Sequence, residues 1–180
     1  MKYASILLAA ALLLPANVLA GEKINPEDYI CAEFLATGAM TEPPIFEGLQ
    51  VDGYYSAANG QKVADPPLVG TVLEEVFMRC GEKPDAMVLP LWTEVRNAHP
   101  QPEGGQWQAD KTRCRDYNQD PEDGSGFVIW LDGYQRRESG GNDSILESDA
   151  KANAYTGACK GKPDALMLDL IREYAAKPAK

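Results

Sequence analysis

Asp52-Gly53-Tyr54 returns eighty residues later as Asp132-Gly133-Tyr134, and this pair of tripeptides decides how the chain is read. The landmarks around them keep the same order. Cys80 is followed by Lys83-Pro84-Asp85-Ala86, and Cys159 by Lys162-Pro163-Asp164-Ala165, an offset of 79. An earlier cysteine precedes each copy, Cys31 before the first and Cys114 before the second. Two blocks of the same order, each with a cysteine near its start and another near its end, read as a tandem duplication of a small disulfide-closed domain.

Outside the repeat, residues 1–20 read as a signal peptide. Lys2 gives a positive start, Ile6 to Leu14 an apolar run too short to span a bilayer, and Val18-Leu19-Ala20 a compact cleavage region. Gly21, not a cysteine, stands directly after Ala20, and no later run approaches 18 apolar residues, so no lipid or other membrane anchor is expected. The mature chain is expected to start near Gly21, in a periplasm or outside the cell.

In such an oxidising compartment the four cysteines read as disulfides. Zinc sites favour cysteine pairs two to four residues apart. Here the spacings are 49, 34 and 45, without a Cys-x-x-Cys and with a single His. Four cysteines allow three pairings, and the repeat selects Cys31–Cys80 and Cys114–Cys159. No metal and no cofactor are expected.

The chain holds 27 acidic against 17 basic residues, a formal net charge of −10. Loss of Lys2 with the signal takes the mature chain to −11. Nucleic acid and anionic lipid are poor partners for such a surface. Below roughly pH 3 the carboxylates lose their charge while Lys and Arg keep theirs, leaving about +17 with His99 counted.

The expected organisation is module 1 over 21–96, a linker over 97–106 rich in Pro and Gly, and module 2 over 107–180. In module 1, Asn25-Pro26-Glu27-Asp28 signals a helix start, for a helix carrying Tyr29, Ile30, Cys31, Phe34 and Leu35. Pro43-Pro44 opens a second helix that ends before Asn59-Gly60. Pro66-Pro67 opens a third, with Val69, Val72, Leu73, Val76, Phe77 and Cys80 on one face. Pro84 starts a fourth, which Pro90 is expected to kink or end. Module 2 repeats the layout: a helix over Lys111 to Tyr117, a turn at Asp120 to Gly124, and an apolar run Phe127 to Leu131. That run reads as a strand in isolation and as a helix by its alignment with Phe46 to Val51; helix is the reading adopted. A third helix with Ala150, Ala154, Tyr155 and Ala158 on its inner face follows, then a fourth over Pro163 to Ala176. The fold class expected is all-α: two tandem small helical bundles, each closed by one disulfide.

Cys31-Ala32-Glu33-Phe34-Leu35, the apolar segment leading to Gly53-Tyr54, and a helix ending in Cys80 with Pro84 four residues on resemble the HdeA/HdeB family of periplasmic acid-stress chaperones. Module 2 keeps Cys114-Arg115-Asp116-Tyr117, Gly133-Tyr134, Cys159 and Pro163. The resemblance implies a helical protein that is folded and inactive as a dimer near neutral pH. Acid opens it, with its disulfide intact, to bind unfolding periplasmic proteins. It also implies a client-binding surface, which here falls on Phe46, Leu49, Val51, Phe127, Ile129, Trp130 and Leu131, residues whose simpler reading, taken one by one, is core. The family carries one module and this chain two, so the dimer becomes either an intrachain pseudo-dimer or a homodimer of the whole chain. Terminal lysines, which keep clients soluble in acid, are reduced here to Lys23, Lys177 and Lys180.

Tyr54 and Tyr134 read as packed rings with a hydrogen-bonded hydroxyl. His99 stands alone in the linker. With no Ser-His-Asp set, no free thiol once both bridges form, no phosphate loop and no paired carboxylates, an enzyme is not expected. Two other readings compete with the chaperone. One is a secreted binding module, such as an inhibitor or immunity-type protein for a toxin or hydrolase. The other is a structural envelope component without clients.

Overall fold

The computed structural model describes residues 24–38, 42–99, 104–119, 121–141 and 143–178. The signal peptide, Lys23, Lys180, Pro100, Pro102 and Asn142 lie outside the described residues. The described chain is all-α, with eight α-helices and one two-stranded sheet.

Module 1 consists of α1 (Cys31–Thr37), α2 (Ile45–Ala58), α3 (Pro66–Glu82) and α4 (Val88–Ala98). Module 2 consists of α5 (Cys114–Gln119), α6 (Pro121–Glu138), a 3-10 turn over Ile145–Glu147, α7 (Asp149–Gly161) and α8 (Met167–Ala175). Disulfides join Cys31 to Cys80 and Cys114 to Cys159, tying α1 to α3 and α5 to α7. On the chain-entropy argument each loop closure stabilises its module by about 4 kcal/mol.

The repeated Lys-Pro-Asp-Ala has a backbone role. A helix start leaves N–H groups without internal partners. Those of Cys31 and Ala32 donate to the carbonyls of Ala86 and Pro84, each at 2.8 Å. Cys114 and Arg115 donate likewise to Ala165 at 3.0 Å and Pro163 at 2.8 Å. Acids one turn in complete both caps: Glu33 accepts from the Ile30 N–H at 3.2 Å and Asp116 from the Arg113 N–H at 2.8 Å. The two halves therefore share hydrogen-bond geometry as well as sequence.

Several boundaries differ from the sequence expectation. Asn25 to Asp28 form a turn closed by the Asp28 N–H on the Asn25 carbonyl, so α1 begins only at Cys31. Pro84 and Pro163 precede their helices because their carbonyls are engaged by α1 and α5. Pro90 consequently falls in the first turn of α4, where no helical N–H bond is lost, and neither kinks nor ends the helix. Pro121 to Gly124, expected as a turn, are the first turn of α6. On α7 the buried line is Lys151, Tyr155 and Cys159, whereas Ala150 and Ala154 face outward. Lys151 is tolerated inside because its ammonium donates to the Ala175 carbonyl at 2.9 Å and to Glu147 at 2.6 Å.

Between the modules, α4 runs on through Asn97 and Ala98. Trp107–Gln108 (β2) then crosses back to pair antiparallel with Val63–Ala64 (β1) of module 1. The reciprocal crossing comes from the start of module 1. Ile24 is buried, and its carbonyl accepts from the Arg136 guanidinium of module 2. Each half thus lends its leading segment to the other. A single apolar cluster, from Phe34, Val72 and Trp92 to Trp130, Met167 and Ile171, runs through both.

Candidate functional site

Helices α2 and α6 cross at the centre of the molecule, and the repeated Asp-Gly-Tyr lies at the crossing. Neither Gly53 nor Gly133 has room for a side chain. A Cβ at Gly53 would overlap the Trp130 carbonyl, and one at Gly133 would overlap the Gln50 carbonyl. The glycines let two helix backbones touch. That requirement explains why Gly recurs in mid-helix at matched positions.

The aspartates one residue earlier are both fully buried. Asp52 accepts from Trp92 Nε1 at 3.0 Å and Arg96 Nε at 2.8 Å, both on α4 of its own module. It also accepts from Trp130 Nε1 at 2.9 Å, across the seam. Arg96, 2 % exposed, neutralises it and lies 5.3 Å from the Tyr55 ring centre. Asp132 is held differently, by the Ser144 hydroxyl and the Ile145 N–H, each at 2.8 Å. Module 2 supplies its buried guanidinium from α6 itself. Arg136 donates to the carbonyls of Gly141 and Ile24, and burial pulls its pKa below the ordinary arginine value. Both halves therefore carry a buried Asp and a buried Arg, on two helices (α2 and α4) in module 1 and on one (α6) in module 2.

Tyr54 and Tyr134 are buried beside the crossing. The Tyr54 hydroxyl donates to Glu27 on the crossing segment, while the Arg137 guanidinium stands 5.6 Å from its ring centre. Burial, before any neighbour, raises both phenol pKa values. Along α6 the rings of Phe127, Trp130 and Tyr134 stack in series, capped by Trp107 of β2, with centroid separations of 5.4 to 5.9 Å.

The residues expected as a client-binding surface are all on α2 and α6. Leu49, Val51, Phe127, Trp130 and Leu131 are buried, while Phe46 and Ile129 are half-buried. Sequence reasoning missed Gln50, Asp52, Arg96, Asp132 and Arg136. The aspartates were visible as part of the repeat. The Trp92–Arg96 spacing of one helical turn was the available sign that a buried charge sat on the face of α4. No group of three or more His, Cys, Asp or Glu suited to a metal ion occurs among the described residues. No described helix is long and apolar enough to cross a membrane, and two disulfides fit an oxidising compartment.

No protein-family model, curated protein or solved structure matches this chain.

Proposed function

We propose that this chain is a periplasmic acid-stress chaperone in which one polypeptide supplies both halves of a closed, inactive pair. The observation that carries the reading is the seam. Leu49 of α2 stands beside Gly126 of α6, buried Trp130 of α6 donates across to Asp52 of α2, and each half is separately closed by a disulfide. Separation of the halves exposes Leu49 and Trp130 with the bare Gly53 and Gly133 faces, on segments the disulfides keep from dispersing.

Acid supplies the drive. The acidic surface becomes strongly cationic, and the two halves repel each other. Glu75, hydrogen-bonded to His99 at 3.0 Å and Arg79 at 2.5 Å, has its pKa lowered, as does Glu173 beside Lys177. A lowered carboxyl pKa stabilises the fold above the unfolded value of 4.5, and that contribution is lost as pH falls through the folded value.

The test is light scattering of an acid-labile client protein with and without the purified chain. Suppressed aggregation at about pH 2 to 3, with none at about pH 7, is expected. Equal inactivity at both, with a single stoichiometric partner captured at neutral pH, would replace this reading with that of a binding module.

A further inference from the structure

Among the described residues, six buried side-chain polar atoms have no hydrogen-bond partner, and four of them sit on α2 and α6. They are both atoms of the Gln50 amide, Ser56 Oγ and Gln135 Oε1. Desolvation left uncompensated is therefore concentrated on the two crossing helices. Gln50 stands at the point of closest approach, its backbone against Gly133 and its side chain wholly buried. Its counterpart in α6, eighty residues on, is Trp130, whose only polar atom is satisfied by Asp52. One side of the crossing is latched by an indole and the other carries an unpartnered amide.

Each helix is also anchored to its own half, although Asp52 and Arg136 each keep one further bond across the seam, to Trp130 and to the Ile24 carbonyl. Asp52 binds Trp92 and Arg96, and the Tyr55 hydroxyl donates to Asn97 at 3.1 Å, which fixes α2 on α4. Asp132 binds the Ser144–Ile145 turn, and Arg136 binds Gly141, which fixes α6 within module 2. By contrast, the cross-seam ion pairs, Arg137 with Glu27 and Lys62 with Asp110, are solvent-exposed and contribute little.

We propose that the seam opens as a unit while both halves stay folded, and that the unpartnered Gln50 amide sets how often it opens. A buried amide without partners disfavours the closed state, and an apolar side chain of similar volume removes that penalty. The inference concerns the closed fold, and stands or falls separately from client capture in acid.

Two indole N–H groups bound to the same carboxylate make the test. Trp92 reports on module 1, and Trp130 reports on the seam. Hydrogen exchange of both is followed by NMR on the full disulfide-bonded chain at neutral pH. Trp130 is expected to exchange faster than Trp92. Gln50→Leu, with Gln50→Met as a less branched alternative, is expected to slow Trp130 exchange roughly five- to a hundredfold while affecting Trp92 less. Equal exchange of the two indoles in the parent chain would mean that only global unfolding occurs, and would overturn the proposal. Unchanged or faster Trp130 exchange in both variants would show that the amide is no liability, and would overturn it equally.

Discussion

Gly53 and Gly133 occupy equivalent positions on opposite sides of one helix crossing, each receiving the backbone of the other's helix where a Cβ would stand. Neither contact can relax by a side-chain rotation, because the obstructing atoms are main-chain carbonyls. Gly53→Ala and Gly133→Ala should each force α2 and α6 apart. The loss expected is several kcal/mol, in the range of severe core overpacking. Chemical denaturation followed by tryptophan fluorescence checks this. In a helix free of contacts Ala would be favoured over Gly by about 1 kcal/mol, so stabilisation by either variant would refute the crossing.

Asp52 and Arg96 form a buried ion pair, with 0 % and 1 % of their side chains exposed. Removing one partner strands the other. Asp52→Ala and Arg96→Met should each cost about 3 to 5 kcal/mol, and the double variant should cost less than their sum. A double-mutant cycle measured by equilibrium unfolding reads the coupling directly. Strict additivity would mean that the pair contributes nothing beyond its separate groups.

How much of this could be read beforehand depends on how many sides of each helix are covered. α3 buries one stripe, Val69, Val72, Leu73, Val76 and Cys80, so its period shows its face and the sequence discloses the helix. α2 is buried continuously from Glu47 to Ser56. A segment enclosed on all sides has no amphipathic period, and the partner on its second face belongs to the other repeat. The duplication therefore revealed the two disulfides and the pairing of α2 with α6 in sequence, but not their contact in space. Lys151 was missed because it enters the core to bind carbonyl and carboxylate groups from two other elements. The cross-over segments were missed for a similar reason: Trp107 and Ile24 are fixed by the opposite module, which local sequence cannot express.

Two carboxylates should affect pH stability in opposite directions. Glu47 is buried in the first turn of α2, and desolvation raises its pKa above 4.5. A raised carboxyl pKa penalises the fold when the group is ionised, so the cost is present above the folded value and fades as pH falls toward 4.5. Glu47→Gln should then raise stability at neutral pH and leave it unchanged in acid. Glu75 has a lowered pKa, owed first to His99, so Glu75→Gln should reduce stability at neutral pH and have no effect well below 4.5. Thermal melts of both variants across this range check the two signs. Parallel shifts at all pH values would assign both residues to packing alone.

The partner that covers α2 is part of the same chain, and this fixes the reaction order of opening. When two separate subunits part, the midpoint moves with protein concentration, because association is bimolecular. Here α2 and α6 stay joined through residues 99–106 after they separate, so closing is unimolecular. The midpoint of apolar-dye binding in an acid titration should therefore stay fixed over about a hundredfold range of protein concentration. A midpoint that moves toward lower pH as concentration rises would show that separate copies also associate in the closed state. In that case the seam would be only one of the surfaces that acid must open.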